Sequence, residues 1–196
     1  MIKQEELTKR LQETLNHLCE TDVVLKENIQ LSDLLKLKNA TYIINNFITY
    51  KLTLAFLNRL YGWSFINDSQ YKKMCTIVEQ TSTNANGFDV LYHDDISIVA
   101  EVKGNVPCKG SNFGANQRKK IIENLYSLKN GKTKAKIKTD GYYKFMVLLD
   151  DSKNVKNALD NLIKSKHMQD LTGNVHLVDN VSSISPDKIN IVLISI

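Results

Sequence analysis

Three charged residues near the middle of the chain have the types and spacing of a metal-assisted hydrolytic site. Asp89 belongs to one short apolar stretch, and Glu101-Val102-Lys103 ends the next one. Two carboxylates can bind a hard divalent cation, and a nearby ammonium can favour hydroxide and neutralise charge in a transition state. The set therefore suits hydrolysis of phosphodiesters.

These side chains can act together only if two strands present them on one face. Side chains alternate along a strand, so Glu101 and Lys103 share a face. A three-residue loop over 93–95 would set Asp89 opposite Val99 and diagonal to Glu101, within reach of a shared ion. A two-residue loop would turn Asp89 to the other face.

The opposite face of this predicted hairpin is apolar, which favours the same odd-length loop. An apolar face can pack on a core while the charged face stays available for chemistry. The residues predicted on it are Phe88, Val90, Tyr92, Ile96, Ile98, Ala100 and Val102.

Each predicted site residue has a role in hydrolysis. Asp89 and Glu101 would hold one or two Mg²⁺ ions, or Mn²⁺ as a substitute, with the carbonyl of Val102 as a third ligand. Lys103 would lie beside the attacking water. The alternative is an ion pair of Glu101 and Lys103 on a solvent-facing strand.

The composition is that of a globular protein of 196 residues with one domain. The N-terminus lacks the apolar core of a signal peptide, and the most apolar stretch, residues 40–61, is interrupted by charged and amide side chains. Cys19, Cys75 and Cys108 lack metal-ligand spacing and are typical of reduced thiols. We therefore expect a cytoplasmic protein with no membrane partner.

Positive charge follows the carboxylates along the chain. Residues 103–138 carry ten basic side chains and one acidic side chain, a local net charge of +9, whereas the rest of the chain carries −4. Such a block predicts a polyanionic ligand, and a solvated lysine-rich surface is the alternative.

The order of the predicted elements indicates an α/β fold. A central mixed sheet of about five strands would be flanked by helices on both faces, within a single domain over 1–196. Residues 1–62 would form an N-terminal helical part and 63–196 the α/β core. Besides the hairpin, the elements are helices over 2–19, 31–37, 40–60, 68–80, 115–128 and 155–163, and strands over 143–149, 176–178 and 189–194.

Asp89, eleven further residues and then Glu101-Val102-Lys103 at the end of an apolar strand resemble the motif of the PD-(D/E)XK nucleases. The resemblance covers about residues 79–150, and Phe88 stands where the family motif has proline. The best-known soluble members of this size are type II restriction endonucleases, and the segment Asn105-Val106-Pro107 also resembles such enzymes. The resemblance implies a restriction-endonuclease-like fold, Mg²⁺-dependent cleavage of double-stranded DNA, no small-molecule cofactor and a homodimer.

The resemblance also implies further site residues. Many members take a carboxylate from a preceding helix, for which Glu79 is the candidate and a solvated helix-end glutamate the alternative. A helix after the motif typically approaches DNA, so its start could hold phosphates and read base edges. A lysine-rich connector would form a mobile loop that contacts phosphates, or would simply be solvated. The DNA-contact candidates are Lys109, Gln117, Arg118, Lys119, Lys120, Lys132 and Lys134.

Other functions are compatible with the same residues. A repair, recombination or mobile-element nuclease of the same fold is the main alternative, followed by a nucleic-acid-binding module that has lost catalysis. A small-molecule enzyme would use the same carboxylates but lacks a cofactor motif. His93, Asp94 and Asp95 could form another metal cluster, although they fit a turn better. The N-terminal helices are predicted to make the dimer contact.

Overall fold

The structure is a computed structural model that describes Gln12 and residues 30–81, 87–104, 106–107, 110–150 and 153–195. Gln12 is helical, and the rest of the helix predicted over 2–19 lies outside the described residues. The chain falls into two compact units, residues 1–44 and 45–196. The second unit contains the sheet and the predicted site residues.

The helices and strands within the described residues follow the predicted order. One difference is that the helices predicted over 31–37 and 40–60 are a single helix, because Lys38-Asn39-Ala40 contains no glycine or proline to interrupt it. The elements are α1 (Leu31–Gly62), α2 (Asp68–Gln80), β1 (Val90–His93), β2 (Ser97–Lys103), α3 (Ala115–Asn130), β3 (Tyr143–Asp150), α4 (Lys153–Ile163), β4 (Val175–Leu177) and β5 (Ile189–Ser195).

The five strands form one mixed sheet in the order β1-β2-β3-β5-β4. β1 is antiparallel to β2, and the other neighbouring strands are parallel. Helices cover both faces, as expected for a sheet whose central strands are apolar on both sides. The predicted fold class, an α/β protein with a five-stranded mixed sheet flanked by helices, is confirmed.

The core on one face of the sheet is built by α1 and α2. Phe56 of α1 and Phe145 of β3 are fully buried, with ring centroids 5.1 Å apart, and the Phe65 ring lies 5.9 Å from Phe145. Met74 and Val78 of α2 pack into the same cluster. This packing fixes the C-terminal half of α1 against the sheet next to β2.

The core on the other face is built by α3 and α4. Ile121 and Leu125 of α3 and Leu159 of α4 pack on Met146 and its neighbours in the sheet. The side chains of β2 are buried on both faces of the sheet, because helices pack over each face. Any charged side chain on β2 is therefore held in a largely apolar setting.

The N-terminal half of α1 presents large apolar side chains to solvent. Leu31 is 72% exposed and Ile43 is 65% exposed, and Leu35 and Tyr42 are also exposed. The dimer contact expected in the N-terminal helices stays a prediction. No helix in the described part of the chain is long and apolar enough to cross a membrane.

The predicted hairpin has the expected odd-length loop, but the predicted register was wrong by two residues. His93 pairs with Ser97, so the loop lies one residue further along the chain than predicted. Continuing this register sets Asp89 opposite Glu101 rather than Val99. Because the parity is unchanged, Asp89 keeps the predicted face.

Side chains of α2 hold the turn in this register. Gln70 Nε2 donates to Asp95 Oδ2 at 2.7 Å, and Lys73 Nζ pairs with Asp94 Oδ2 at 2.5 Å. The hydrogen bond from Lys73 lowers the pKa of Asp94 below its ordinary value. The two aspartates therefore serve the turn rather than a metal cluster with His93.

The apolar face of the hairpin was predicted correctly except at Phe88. Val90 and Tyr92 are buried, as expected, and they pack with α1 and α2, whereas Phe88 is buried in the opposite core with α3 and α4. Phe88 precedes β1, so the alternation of a strand does not apply to it. Its ring lies beneath the side chain of Lys132, 4.5 Å from the ammonium.

Candidate active site

The structure brings Asp89, Glu101 and Lys103 together at the end of β2. Lys103 Nζ lies 3.5 Å from Glu101 Oε2 and 3.9 Å from Asp89 Oδ2. Glu101 and Lys103 share a face because they are two residues apart on one strand. The spatial cluster predicted from the sequence is therefore present.

Asp89 is fixed to β2 by its side chain. The Val102 amide donates to Asp89 Oδ2 at 2.7 Å, beyond the point at which β1 begins. The amide and carbonyl of one residue point to the same edge of an extended strand. The Val102 carbonyl consequently faces the side on which Asp89 lies, as its predicted role as a ligand requires.

Glu101 is the most deeply buried member of the cluster, with 3% of its surface exposed. Burial raises the pKa of its carboxyl, and the neighbouring Asp89 carboxylate raises it further, while Lys103 and Lys132 oppose the shift. The cationic neighbours thus only partly offset the cost of keeping this charge inside the protein.

The raised pKa of Glu101 predicts a pH-dependent penalty on stability. Between its ordinary and its raised pKa the folded protein binds more protons than the unfolded chain, so the free energy of unfolding falls as pH rises, by at most about 1.4 kcal/mol per pH unit. Glu101→Gln removes this loss. We expect its stability relative to wild type to increase with pH in urea unfolding without divalent cations. The control is Glu123→Gln, at an exposed site on α3, and parallel pH profiles for Glu101→Gln and wild type would contradict the prediction.

Lys132 is a fourth member of the cluster that sequence reasoning assigned to DNA contact. Its Nζ lies 2.5 Å from Glu101 Oε1 and donates to the Gly87 carbonyl at 2.6 Å, and it lies over the Phe88 ring. The side chain is therefore directed into the site, and its contact with phosphates stays a prediction. Only its place after a helix-ending glycine distinguishes it from the neighbouring lysines in the sequence.

The backbone amide and the backbone carbonyl of Lys132 are both hydrogen-bonded. Lys132 exchanges backbone hydrogen bonds with Ile137, at 2.8 and 3.1 Å, across a short 3-10 helix, Thr133–Ala135. Gly131 has a φ of 82°, and a Cβ there would collide with the Ile137 carbonyl. Glycine is required at this position to turn the chain from α3 toward the site.

A cavity of about 210 Å³ borders the cluster. Asp89 and Lys103 form part of its wall. At Gly104 a Cβ would come within 2.6 Å of Ile48 Cγ2, so glycine permits α1 to lie close to the end of β2. Polar residues from α1 and the end of α2, none of them predicted as site residues, also line this cavity. They are Asn46, Thr49, Tyr50, Thr53 and Thr81.

Glu79 is not brought into this cluster. It is exposed on α2, and the α2 end contributes Val78 and Thr81 to the cavity wall instead. Among the described residues no contact joins Glu79 to Asp89 or Glu101. The solvated alternative for Glu79 fits its position better than the role of a further ligand.

The residues predicted to contact DNA lie in different settings. Lys109 lies outside the described residues. Gln117 is bonded within the chain: its Oε1 accepts from the Gly114 amide at 2.9 Å, and its Nε2 donates to the Val106 carbonyl at 3.0 Å. It thus ties the start of α3 to the segment that follows β2, and base reading by Gln117 stays a prediction.

The other cationic candidates lie on the surface. Lys119, Lys120 and Lys134 are exposed, and Arg118 is half-buried. Arg118 and Lys119 border a groove of about 420 Å³ between α3 and His167, which shares no residue with the cavity beside Asp89. Their contact with phosphates stays a prediction.

The donor set suits a hard cation that keeps part of its water shell. Glu101 Oε1 is buried without a hydrogen-bond donor of suitable geometry, although the Lys132 ammonium is close. No group of three or more His, Cys, Asp or Glu residues that could hold a metal occurs in the described ranges. Two carboxylates and a carbonyl are enough for Mg²⁺, which retains several waters.

Comparison of the chain with protein families, curated proteins and solved structures found no match.

Proposed function

We propose that the protein is a Mg²⁺-dependent DNA endonuclease, with a type II restriction endonuclease as the most specific form of the proposal. The observation that carries it is the convergence of Asp89, Glu101 and Lys103 at one end of β2. Two carboxylates and an ammonium at these distances are the groups that phosphodiester hydrolysis needs.

In this proposal Asp89, Glu101 and the Val102 carbonyl hold the metal. A bound Mg²⁺ supplies Lewis-acid stabilisation of the charge that builds up on the phosphate oxygens. Lys103 orients the water that attacks phosphorus and favours its deprotonation. The new bond joins the water oxygen to phosphorus and the bond to the leaving oxygen breaks. The attacking water gives up its proton to solvent, and the leaving oxygen takes up a proton from solvent.

The surroundings of the cluster support a polyanionic substrate. The cavity beside Asp89 and Lys103 provides room next to the site, and its lining includes hydroxyl and amide side chains that can bond to phosphate or sugar oxygens. The net charge of the protein is +5. Positive charge favours association with DNA and makes binding weaken as salt rises.

A plasmid-cleavage assay tests the proposal. With Mg²⁺ we expect cleavage that EDTA abolishes and that the near-isosteric variant Asp89→Asn lacks. Discrete fragments indicate a site-specific restriction endonuclease, whereas a smear or a preference for branched DNA indicates a repair, recombination or mobile-element nuclease. No cleavage with Mg²⁺ or Mn²⁺ on any of these substrates would contradict a nuclease and favour the binding module.

A further inference from the structure

We propose that Lys132 neutralises Glu101 in the metal-free protein and is displaced from it when a divalent cation binds, an inference that rests on the proposed metal-dependent function. Its Nζ lies 2.5 Å from Glu101 Oε1, a buried oxygen of one of the two carboxylates proposed to hold the metal. Lys132 is then a positioning residue that competes with the metal, and its primary contact is with the site rather than with DNA.

The charge of the cluster requires such a competition. With both carboxyls ionised, Asp89 and Glu101 carry two negative charges, and Lys103 and Lys132 carry two positive charges, so the four side chains together are neutral. A divalent cation brought into contact with both carboxylates adds two charges within a few ångströms of both ammoniums. Like charges this close in a partly buried site repel strongly, which favours withdrawal of one ammonium.

Lys132 is better placed to withdraw than Lys103. Lys103 is on β2, two residues from Glu101, and lies beside both carboxylates. Lys132 approaches from a separate segment and has partners outside the carboxylates, the Gly87 carbonyl and the Phe88 ring. These contacts can retain the ammonium near the site after it leaves Glu101 Oε1.

Backbone contacts also fix the position of Lys132. Its backbone amide and carbonyl are both hydrogen-bonded to Ile137, and Gly131 provides the backbone conformation that directs the chain to the site. The Lys132 ammonium donates to the carbonyl of Gly87, which precedes Asp89 by two residues. Movement of the ammonium is thereby linked to the segment that presents the other carboxylate.

Metal binding by the full chain, measured by calorimetric titration with MnCl₂ at pH 8, tests this role without relying on DNA cleavage. Because Lys132→Met removes the competing charge, we expect it to bind Mn²⁺ about fivefold more tightly than wild type, or more. Lys132→Arg keeps the charge and should bind as wild type does. Lys156→Met, an equal charge change at an exposed site on α4, is the control. Lys132→Gln provides a second neutral variant if Lys132→Met does not fold.

Thermal unfolding gives a second readout. Without metal, Lys132→Met should unfold at a lower temperature than Lys156→Met, and MnCl₂ should raise its unfolding temperature more than that of wild type. Equal or weaker Mn²⁺ binding by the neutral variants, or no binding by any variant, overturns the inference. If wild type binds Mn²⁺ but leaves plasmid DNA intact, the nuclease proposal fails while tighter binding by Lys132→Met still supports the role of Lys132.

Discussion

Lys103→Ala is expected to reduce Mg²⁺-dependent DNA cleavage by about 100- to 1000-fold while leaving the fold intact. Lys103 Nζ is the group that lies beside both carboxylates, at 3.5 Å from Glu101 and 3.9 Å from Asp89. Alanine removes the charge that would favour hydroxide and neutralise the transition state. The initial rate of plasmid cleavage at saturating Mg²⁺ measures the effect.

The control for this variant is Lys156→Ala, which makes the same change at an exposed position on α4, outside the basic segment. It should cleave at the wild-type rate. Mn²⁺ binding by Lys103→Ala should persist, because Asp89 and Glu101 remain. Cleavage at the wild-type rate by Lys103→Ala would contradict the proposed role of Lys103 beside the attacking water. Loss of metal binding would instead indicate that Lys103 organises the carboxylates.

Phe145→Ala is expected to lower the free energy of unfolding by about 3–5 kcal/mol. Phe145 is fully buried on β3, the central strand, and contacts the rings of Phe56 and Phe65. The small side chain would leave a cavity between α1 and the sheet that the surrounding strands and helix cannot close. Urea unfolding followed by circular dichroism measures the loss.

Phe47→Ala is the matched control, since it removes the same atoms from a ring that is 59% exposed. A surface change of this kind should alter the free energy of unfolding by less than about 0.5 kcal/mol. A loss below about 1 kcal/mol for Phe145→Ala would mean that α1 does not pack on the sheet as described.

Local patterns in the sequence were sufficient to predict the fold class and the order of the elements. The apolar run over 143–149 predicted the central strand, and the alternation around Asp89 predicted an odd-length hairpin loop. Both signals arise from side chains within a few residues of one another. The shared face of Asp89 and Glu101 followed from parity alone, which is why it survived an error in register.

Features set by distant contacts could not be predicted in this way. The register of the hairpin depends on Gln70 and Lys73 of α2, which hold the turn from outside the hairpin. Lys132 joins the site through its approach to Glu101, 31 residues earlier in the chain. In the sequence it is one lysine among several at alternate positions, so composition indicated a solvated connector.

The hydrogen bond from the Val102 amide to Asp89 Oδ2 makes the site open to hydrogen-exchange analysis. This amide bonds to a side chain, whereas amides within the ladder of β2 and β3 bond to backbone carbonyls and exchange through larger opening of the sheet. Detachment of Asp89 therefore exposes the Val102 amide without breaking the backbone hydrogen bonds between β2 and β3. The exchange rate of this amide with solvent therefore reports how often the Asp89 carboxylate detaches from β2 while Glu101 and Lys103 stay in place.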